Sequence, residues 1–435
     1  MGLSERDRRI ARLAVPALGT LAVEPLYVLV DTAIVGRLGT VPLGGLAVAS
    51  AVLGTVLPVC NFLAYGTTAR VAFLTGRGDR RAAASVAAQG LWLCALIGVP
   101  LAVALAVGTR PIVAVVGGEG EIAAAARTYL LISCIGIPAV LVALVGHGYL
   151  RGVADTRTPL LVSVVANVVN LVLELVLVYG LELGVAGSAW GTVVAQVGAA
   201  AWFVGLLRRR LTVAEAPLGL VGAEARRLLL AGRHLFVRTA SLLATMAVAT
   251  AVAARVSPAT LGGHQIALQV HLFVALALDA FAIPGQVLVG TLLGADDRAE
   301  ARATSRRLLQ LGLLGGVLVA VVLVATAPVL PTLFTHDPAV LDRARVALVI
   351  AGLVQLPGAV AFVLDGVLIG ASDFRYLQWS MVVGLVVFLP FAVAVPAAPS
   401  LGIGGVWVGL LAWMLARAAA NLARYRRGSW LAVPA

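Results

Sequence analysis

The chain has 435 residues, of which 61% are hydrophobic and only 12% are charged, and its mean hydropathy is +1.03. A soluble protein carries about twice that fraction of charge, so the composition excludes a soluble globular protein. The net charge of +12 comes entirely from arginine, without any lysine, and the placement of these arginines indicates membrane topology rather than a nucleic-acid partner.

Apolar segments long enough to cross a bilayer follow one another along the whole chain. They are predicted at 13–36, 43–73, 83–108, 123–147, 159–180 and 184–207, and then at 232–255, 263–293, 308–330, 344–369, 377–397 and 402–423. The sequence therefore predicts an all-α polytopic membrane protein with twelve transmembrane helices and no soluble domain. The N-terminus is charged and has no cleavage-site pattern, so we expect the first span to be retained as a helix.

Three motifs of the first half of the chain recur in the second half. The same sequence offset, the one from Leu74 to Leu292, separates the two members of every pair. The pairs are LTGRGDR at 74 with LLGADDR at 292, GYLRGVADTR at 148 with GVLIGASDFR at 366, and LGVAGSAWG at 183 with LGIGGVWVG at 401. Such a repeat predicts two lobes of six helices, an N-lobe at 1–207 and a C-lobe at 232–435, joined by a connector at 208–231. We expect a pseudo-two-fold axis roughly along the membrane normal, with Gly152 matching Gly370 and Gly187 matching Gly405.

The arginines are distributed unevenly between the two sides of the predicted membrane. If both termini lie on one side, 23 of the 32 arginines lie on that side, six lie towards the other, and Arg70, Arg238 and Arg417 lie within spans. In this count four arginines near span ends are assigned to the adjoining loops: Arg127, Arg233, Arg255 and Arg345. Because an excess of arginine marks cytoplasmic loops, both termini and the connector are predicted to be cytoplasmic.

Five acidic residues fall within predicted spans: Glu24, Asp31, Glu174, Asp279 and Asp365. An acid at the centre of a bilayer costs roughly 2.5–3.5 kcal/mol, so each needs a reason. Glu24 and Asp31 are seven residues apart and share one face of the first helix, and Pro25 between them predicts a bend there.

A polar stripe on the fifth span is formed by Asn167, Asn170 and Glu174, spaced three and four residues apart. Thr192 and Gln196 of the sixth span are also four apart, a spacing that suits a hydrogen bond between helices. Such a structural role does not require a carboxylate, so Asp31 and Glu174 indicate a functional site.

Polar residues of the second half repeat these helical spacings. Asp279 and Gln286 are seven apart, Gln265 and Gln269 four apart, and His264 and His271 share a face without the other ligands of a metal site. Asp365 is expected to snorkel towards, or pair within, the nearby loop that contains Asp373 and Arg375. In the loop at 151–159, Asp and Thr are predicted to cap the next helix.

The sequence contains no Walker loop, nucleotide fingerprint, Ser–His–Asp set or metal-ligand cluster. ATP hydrolysis by this chain is therefore not expected. An intramembrane enzyme would call for paired acids or histidines near a membrane face, and the sequence shows no such motif, so we predict that the protein is not an enzyme. It needs no cofactor other than a proton or sodium ion, because an ion gradient is the expected source of energy.

Several segments resemble the multidrug and toxic compound extrusion (MATE) family, in particular its DinF-like branch. They are LAVPALGTLAVEPLYVLVDTAIVGRLG at 13–39, GYLRGVADTRTP at 148–159, NVVNLVLELVLVYG at 167–180, HQIALQVHLFVALALDAFAIPGQVLVGTLLG at 264–294 and LDGVLIGAS at 364–372. The resemblance covers most spans in order. It implies two lobes around a V-shaped cleft, alternating access and cation-coupled efflux.

The same resemblance implies a coupling site in the N-lobe. The family's first-helix acid falls on Asp31, its fifth-helix asparagine and acid on Asn170 and Glu174, and its sixth-helix hydroxyl on Thr192. The family pattern has Asp where this chain has Glu174. Further cleft candidates are Glu24, Asn167, Gln196, Arg238, Gln265 and Asp279. The seventh-helix acid of other branches has no counterpart in 232–255.

These observations predict a monomeric, proton-coupled antiporter of organic compounds in the plasma membrane, with membrane lipid around it. Asp31 is expected to take up a proton outside and release it inside, because burial disfavours its charged form. Sodium coupling stays open, since the site offers enough oxygens for a cation. A lipid-linked saccharide flippase of the same superfamily is a further alternative, against which the few arginines within spans argue. Acids in the spans favour cationic or neutral aromatic cargo, although Arg238 suits an organic anion such as citrate.

Overall fold

The computed structural model describes residues 4–432, apart from the side chain of Glu24, and this part of the chain is helical and contains no β-strand. The α-helices are α1 (Glu5–Gly36), α2 (Thr40–Val56), α3 (Phe62–Gly76), α4 (Arg80–Val116), α5 (Gly120–Gly152), α6 (Arg157–Glu174), α7 (Gly184–Val213), α8 (Gly222–Val256), α9 (Pro258–Gly294), α10 (Arg298–Thr326), α11 (Pro338–Gly370), α12 (Phe374–Ala397) and α13 (Gly402–Arg427). A 3₁₀ turn at Leu57–Asn61 joins α2 to α3, and a π-helical segment at Leu175–Gly180 continues α6.

Among the described residues, twelve helical segments are long and apolar enough to cross a membrane, as predicted. Three of these spans are composite: α2 with α3, α6 with its π-helical continuation, and a 3₁₀ turn at Pro399–Leu401 with α13. The helices extend beyond the apolar segments, and side chains cap the starts of some of them. Asp79 accepts a hydrogen bond from the Ala82 amide at the start of α4, and Asp155 accepts one from the Thr158 amide at the start of α6.

The chain folds into two compact units whose boundaries fall inside α1 and α8. One unit is Gly19–Gly232, and the other combines Met1–Leu18 with Arg233–Ala435. The first turns of α1 therefore group with the second half of the chain, whereas the sequence places them in an N-lobe at 1–207.

Paired charges attach the start of α1 to α10 within this second unit. Asp7 accepts two hydrogen bonds from Arg307, at 2.6 and 2.9 Å, and Arg6 donates two to Glu300, at 3.0 and 2.8 Å. Ile10 packs beside them in a small buried apolar cluster. Most of the chain separates the partners of each pair in the sequence, which explains why no local pattern indicates these contacts.

Local geometry recurs between the two halves at the predicted offset. Left-handed backbone conformations occur at Gly78 and Asp296, at Ala154 and Ser372, and at Gly184 and Gly402. Close helix packing recurs as well: a Cβ atom on Gly148 would lie 2.7 Å from the Ala64 carbonyl oxygen, and one on Gly366 would clash with that of Ala282. Each unit is therefore built with the same turns and the same close helix contacts.

The connector docks on α4 through two side chains. The Gln89 amide donates to the Gly219 carbonyl at 3.0 Å and accepts from the Val221 amide at 2.8 Å, and the Trp92 indole donates to the Leu218 carbonyl at 2.9 Å. Gln89 is fully buried, so it satisfies backbone groups that have no partner in a helix or sheet.

Candidate functional site

Two buried carboxylates from different helices share one hydroxyl group in the first unit. The Ser188 hydroxyl of α7 lies 2.6 Å from Asp31 Oδ1 of α1 and 3.3 Å from Glu174 Oε1 of α6. Asp31 is 5% exposed, and both Glu174 and Ser188 are completely buried. The ion pairs formed within the described part of this unit include neither acid. The acids therefore face each other across a serine without a balancing positive charge.

The next turn of α7 adds a second contact with α1. Thr192 Oγ1 lies 2.7 Å from the Tyr27 hydroxyl and donates to the Ser188 carbonyl at 3.1 Å. Tyr27 precedes Asp31 by four residues, just as Ser188 precedes Thr192. One polar stripe on α1 thus meets one polar stripe on α7, and Ser188 rather than Thr192 makes the recorded contacts with the carboxylates.

A glycine lets α7 approach α6 at the position of the acid. A Cβ atom on Gly191 would lie 3.1 Å from Glu174 Cγ, 3.3 Å from its backbone nitrogen and 3.4 Å from Asn170 Oδ1. Any side chain at this position would press on the site, so the glycine keeps Glu174 and Asn170 enclosed between the two helices.

Several buried polar atoms at the site have no hydrogen-bond partner among the described residues. They are both side-chain amide atoms of Asn170 and the second carboxylate oxygen of Glu174. Asn170 is 3% exposed. Buried polar atoms are nearly always hydrogen-bonded, so this arrangement suits a site that binds a small polar or charged species.

A π-helical segment begins directly after Glu174. The Leu181 amide bonds to the Val176 carbonyl at 2.9 Å, five residues back. The Tyr179 hydroxyl of this segment donates to the Ile34 carbonyl of α1 at 2.8 Å. Short π-helical segments are rare in proteins, and those that do occur often lie at functional sites. This one links the helix of Glu174 to the helix of Asp31.

The remaining candidates of the first half make local contacts. The Asn167 amide donates to the Ser163 carbonyl of its own helix at 2.8 Å. Gln196 packs its amide oxygen against Gly136 of α5, as expected for a residue that joins helices. Glu24 was also a candidate, and its side chain lies outside the described part of the structure.

The second unit contains a buried ion-pair cluster centred on Asp365. Its carboxylate accepts hydrogen bonds from Arg238, from Arg417 at 2.9 Å and from Asn421 at 2.7 Å. The expectation that Asp365 snorkels or pairs within the neighbouring loop was wrong, because it is 3% exposed and Asp373 of that loop bonds to Arg424 instead.

The other candidates of the second half belong to this unit as well. Arg238, expected to suit an anion, bonds to Asp365, while Gln265 is exposed and Asp279 is half-buried. His264 and His271 contact Thr250 and Gln355, at 3.1 and 2.9 Å, and both rings lie against Trp407. Polar packing thus accounts for the recorded contacts of both histidines.

Comparison with known proteins identifies the family. The family model MatE matches residues 16–176 and again residues 235–394. The chain belongs to the MATE family. The second match follows the first at nearly the same offset as the repeated motifs, so one family unit occurs twice in the chain. MATE proteins are multidrug and toxic-compound efflux transporters, so the predicted family and class of protein are confirmed.

Relatives in plants and bacteria match nearly the full length of this MATE chain. Protein DETOXIFICATION 44, chloroplastic, of Arabidopsis thaliana is 34% identical over 99% of this chain and 84% of its own length. DNA damage-inducible protein F of Escherichia coli is 29% identical over 99% of this chain and 95% of its own. This second similarity agrees with the predicted DinF-like branch.

Solved structures confirm the fold. A MOP superfamily transporter from Pyrococcus furiosus superposes with a TM-score of 0.90 at 21% identity, over 98% of this chain and 96% of the other. An outward-facing multidrug resistance MATE transporter gives a TM-score of 0.89, also at 21% identity and with the same coverage. The twelve-helix architecture predicted from the sequence is that of MATE transporters.

Proposed function

We propose that this MATE protein is a proton-coupled antiporter that exports organic compounds across the plasma membrane, with Asp31 and Glu174 as the coupling groups. The observation that supports this most directly is the shared contact of the two buried acids with Ser188. Two carboxylates this close, without a basic partner, repel each other when both are ionised. A bound cation removes that repulsion, so the pair is suited to bind and release one.

Cation binding at this pair can bias the conformation of the protein. The two acids lie on different helices, and Ser188 on a third helix contacts both. Loading the pair with a cation changes the interaction between these helices, and a ligand shifts a conformational equilibrium by its difference in affinity for the two states. Release of the cation on the other side of the membrane then returns the protein to its first state.

Sodium is the alternative coupling ion, and the unpartnered oxygens favour it. Asn170 Oδ1 and Glu174 Oε2 have no hydrogen-bond partner among the described residues, and they lie beside the Asp31–Ser188 contact. A hard cation prefers oxygen ligands of this kind. The two coupling ions differ in how much they require Glu174: a proton can be carried by Asp31 alone, whereas sodium needs both acids as ligands.

Transport in proteoliposomes under separately imposed proton and sodium gradients tests the proposal. The fluorescent cation ethidium serves as substrate for wild type, Asp31→Asn and Glu174→Gln, with the exposed Glu121→Gln as the matched control. We expect Asp31→Asn to abolish proton-driven transport and the control to retain it. Glu174→Gln should weaken transport less than Asp31→Asn if protons drive it, and equally if sodium does. Full gradient-driven transport by Asp31→Asn would remove this acid from the mechanism.

The proposed topology places both termini and the connector in the cytoplasm. It is supported by the 23 arginines on that side of the predicted spans. It places the start of α8 and the start of α12 on the cytoplasmic side, because each follows a segment assigned to that side.

A further inference from the structure

A cavity of about 300 Å³ that is open to the surface lies between α8 and α12 of the second unit. Each helix contributes an arginine to its walls, and α12 also contributes a tryptophan. The lining residues are Arg233, His234, Val237, Arg375, Gln378 and Trp379. No acid is among them. Arg233 and Arg375 are both exposed, and within the described part of the chain neither takes part in an ion pair. Two guanidinium groups beside one cavity therefore lack a protein counter-charge.

Hydrogen bonds hold the basic wall in place. His234 Nδ1 of α8 contacts the Gln378 side-chain oxygen of α12, and Arg233 Nε lies 3.4 Å from the other ring nitrogen of His234. The terminal amino groups of Arg233 form no hydrogen bond within the described residues. These groups and the Arg375 guanidinium are therefore available to one ligand, and paired guanidinium groups suit phosphate oxygens.

The cavity lies at one end of an apolar stripe on an exposed face of α12. Trp379, Val383 and Val386 are 54%, 47% and 56% exposed, and their spacing of four and three residues puts them on one face of the helix. On a helix that crosses the membrane, such a face contacts acyl chains, and tryptophan is enriched at the level of the headgroups. A basic cavity that adjoins this stripe suits a ligand with a phosphate and acyl chains.

We propose that this cavity binds the phosphate headgroup of an anionic membrane phospholipid, whose acyl chains lie along the Trp379–Val386 face of α12. Under the proposed topology the lipid belongs to the cytoplasmic leaflet. Basic pockets between membrane helices on that side bind anionic headgroups in other proteins. The apolar stripe favours a phospholipid over free phosphate, because inorganic phosphate makes no use of it. The proposal does not depend on the coupling mechanism.

Native mass spectrometry of the purified full-length protein in detergent tests the proposal. The probes are phosphatidylglycerol, phosphatidylcholine and inorganic phosphate. The test variant is Arg233→Gln with Arg375→Gln. The matched control is Arg80→Gln with Arg81→Gln, which removes the same charge from two exposed arginines at the start of α4. We expect wild type and control to retain phosphatidylglycerol in preference to phosphatidylcholine, and the test variant to bind it at least roughly tenfold more weakly.

The outcomes separate the possible ligands. Displacement of phosphatidylglycerol by inorganic phosphate at equal concentration would overturn the choice of a lipid. Equal retention by the test variant and the wild type, or equal loss in the test variant and the control, would overturn the site. Circular dichroism establishes that each variant is folded, and the single variant Arg375→Gln, with a smaller loss expected, serves if the double variant does not fold. Trp379→Leu should weaken lipid binding without changing any charge.

Discussion

Replacing Asp365 by asparagine is expected to destabilise the protein strongly, although the change keeps the shape of the side chain. The carboxylate accepts hydrogen bonds from Arg238, Arg417 and Asn421, and Arg417 is only 1% exposed. With asparagine, Arg417 keeps its contact with the Trp413 ring at 4.7 Å but loses the carboxylate with which it forms an ion pair. Removing one partner of a buried ion pair costs about 3–5 kcal/mol, and we expect a loss of unfolding free energy in that range.

The same replacement at Asp31 provides the matched comparison. The recorded side-chain partner of Asp31 is the Ser188 hydroxyl, which can donate equally to an amide oxygen. No basic group loses its partner, and a neutral side chain is easier to accommodate in a membrane than a carboxylate. We therefore expect the unfolding free energy of Asp31→Asn to lie within about 1 kcal/mol of wild type or above it.

Unfolding in mixed micelles by increasing fractions of dodecyl sulfate, followed by circular dichroism, measures both variants. Adding Arg417→Met to Asp365→Asn should recover part of the loss, because it removes the unpaired buried charge. If Asp365→Asn is as stable as wild type, Asp365 does not form a structural ion pair. If Asp31→Asn destabilises the protein as much as Asp365→Asn does, Asp31 is not an unpaired acid.

Three further predictions concern packing and topology. Gly191→Ala should lower the unfolding free energy by about 1–3 kcal/mol and reduce transport, because its methyl group would lie 3.1 Å from Glu174 Cγ. Gly198→Ala should be neutral, because no atom lies within 4 Å of its added methyl group. Proteoliposome transport and micelle unfolding measure both effects. Gln89→Leu should release the connector and increase its cleavage by trypsin, and an unchanged rate would argue against docking. A cysteine introduced as Glu215→Cys should resist impermeant maleimide added to intact cells; its labelling would invert the topology.

The sequence predicts the helices well because two strong signals agree. Long apolar segments indicate spans independently of tertiary structure, and the repeated motifs mark the turns between them. Asp79 and Asp297, which belong to one such pair of motifs, both accept a hydrogen bond from the amide three residues later at the start of a helix. A polar cap and a tight turn are local features, so they can be read from a few adjacent residues.

The contacts of the site are less accessible to sequence analysis. Asp31 and Glu174 stand out because carboxylates are costly in a membrane, but Ser188 is common in helices and carries no such signal. The sequence relates Ser188 to the site through its position four residues before Thr192, which puts both on one face of the helix. The π-helical segment after Glu174 is a run of Leu and Val that suits any helix type. Asp365 and Arg417 are far apart in the sequence and lie on different helices, and no periodicity relates them.

The two halves share their helix packing, but equivalent positions hold residues of different chemistry. The positions of the second half that match the first site through the repeat are apolar: Ala249 for Asp31, Phe388 for Asn170, Ala392 for Glu174 and Val406 for Ser188. The positions of the first half that match Asp365, Arg417 and Asn421 are His147, Ala199 and Phe203, of which His147 and Phe203 form a ring contact at 4.9 Å. Equivalent positions on the same scaffold thus hold different kinds of interaction.

This difference between equivalent positions explains why coupling is assigned to only one of the two repeated halves. In the second unit the buried acid is paired with two arginines, so its negative charge is already compensated within the protein. In the first unit α1, α6 and α7 bring two acids and a serine together, and the ion pairs of the described residues there include neither acid. An acid that is paired with arginine has no need of an external cation, whereas two acids without a basic partner attract one. The difference in counter-charge, rather than the presence of an acid, therefore separates the structural carboxylate from the coupling ones.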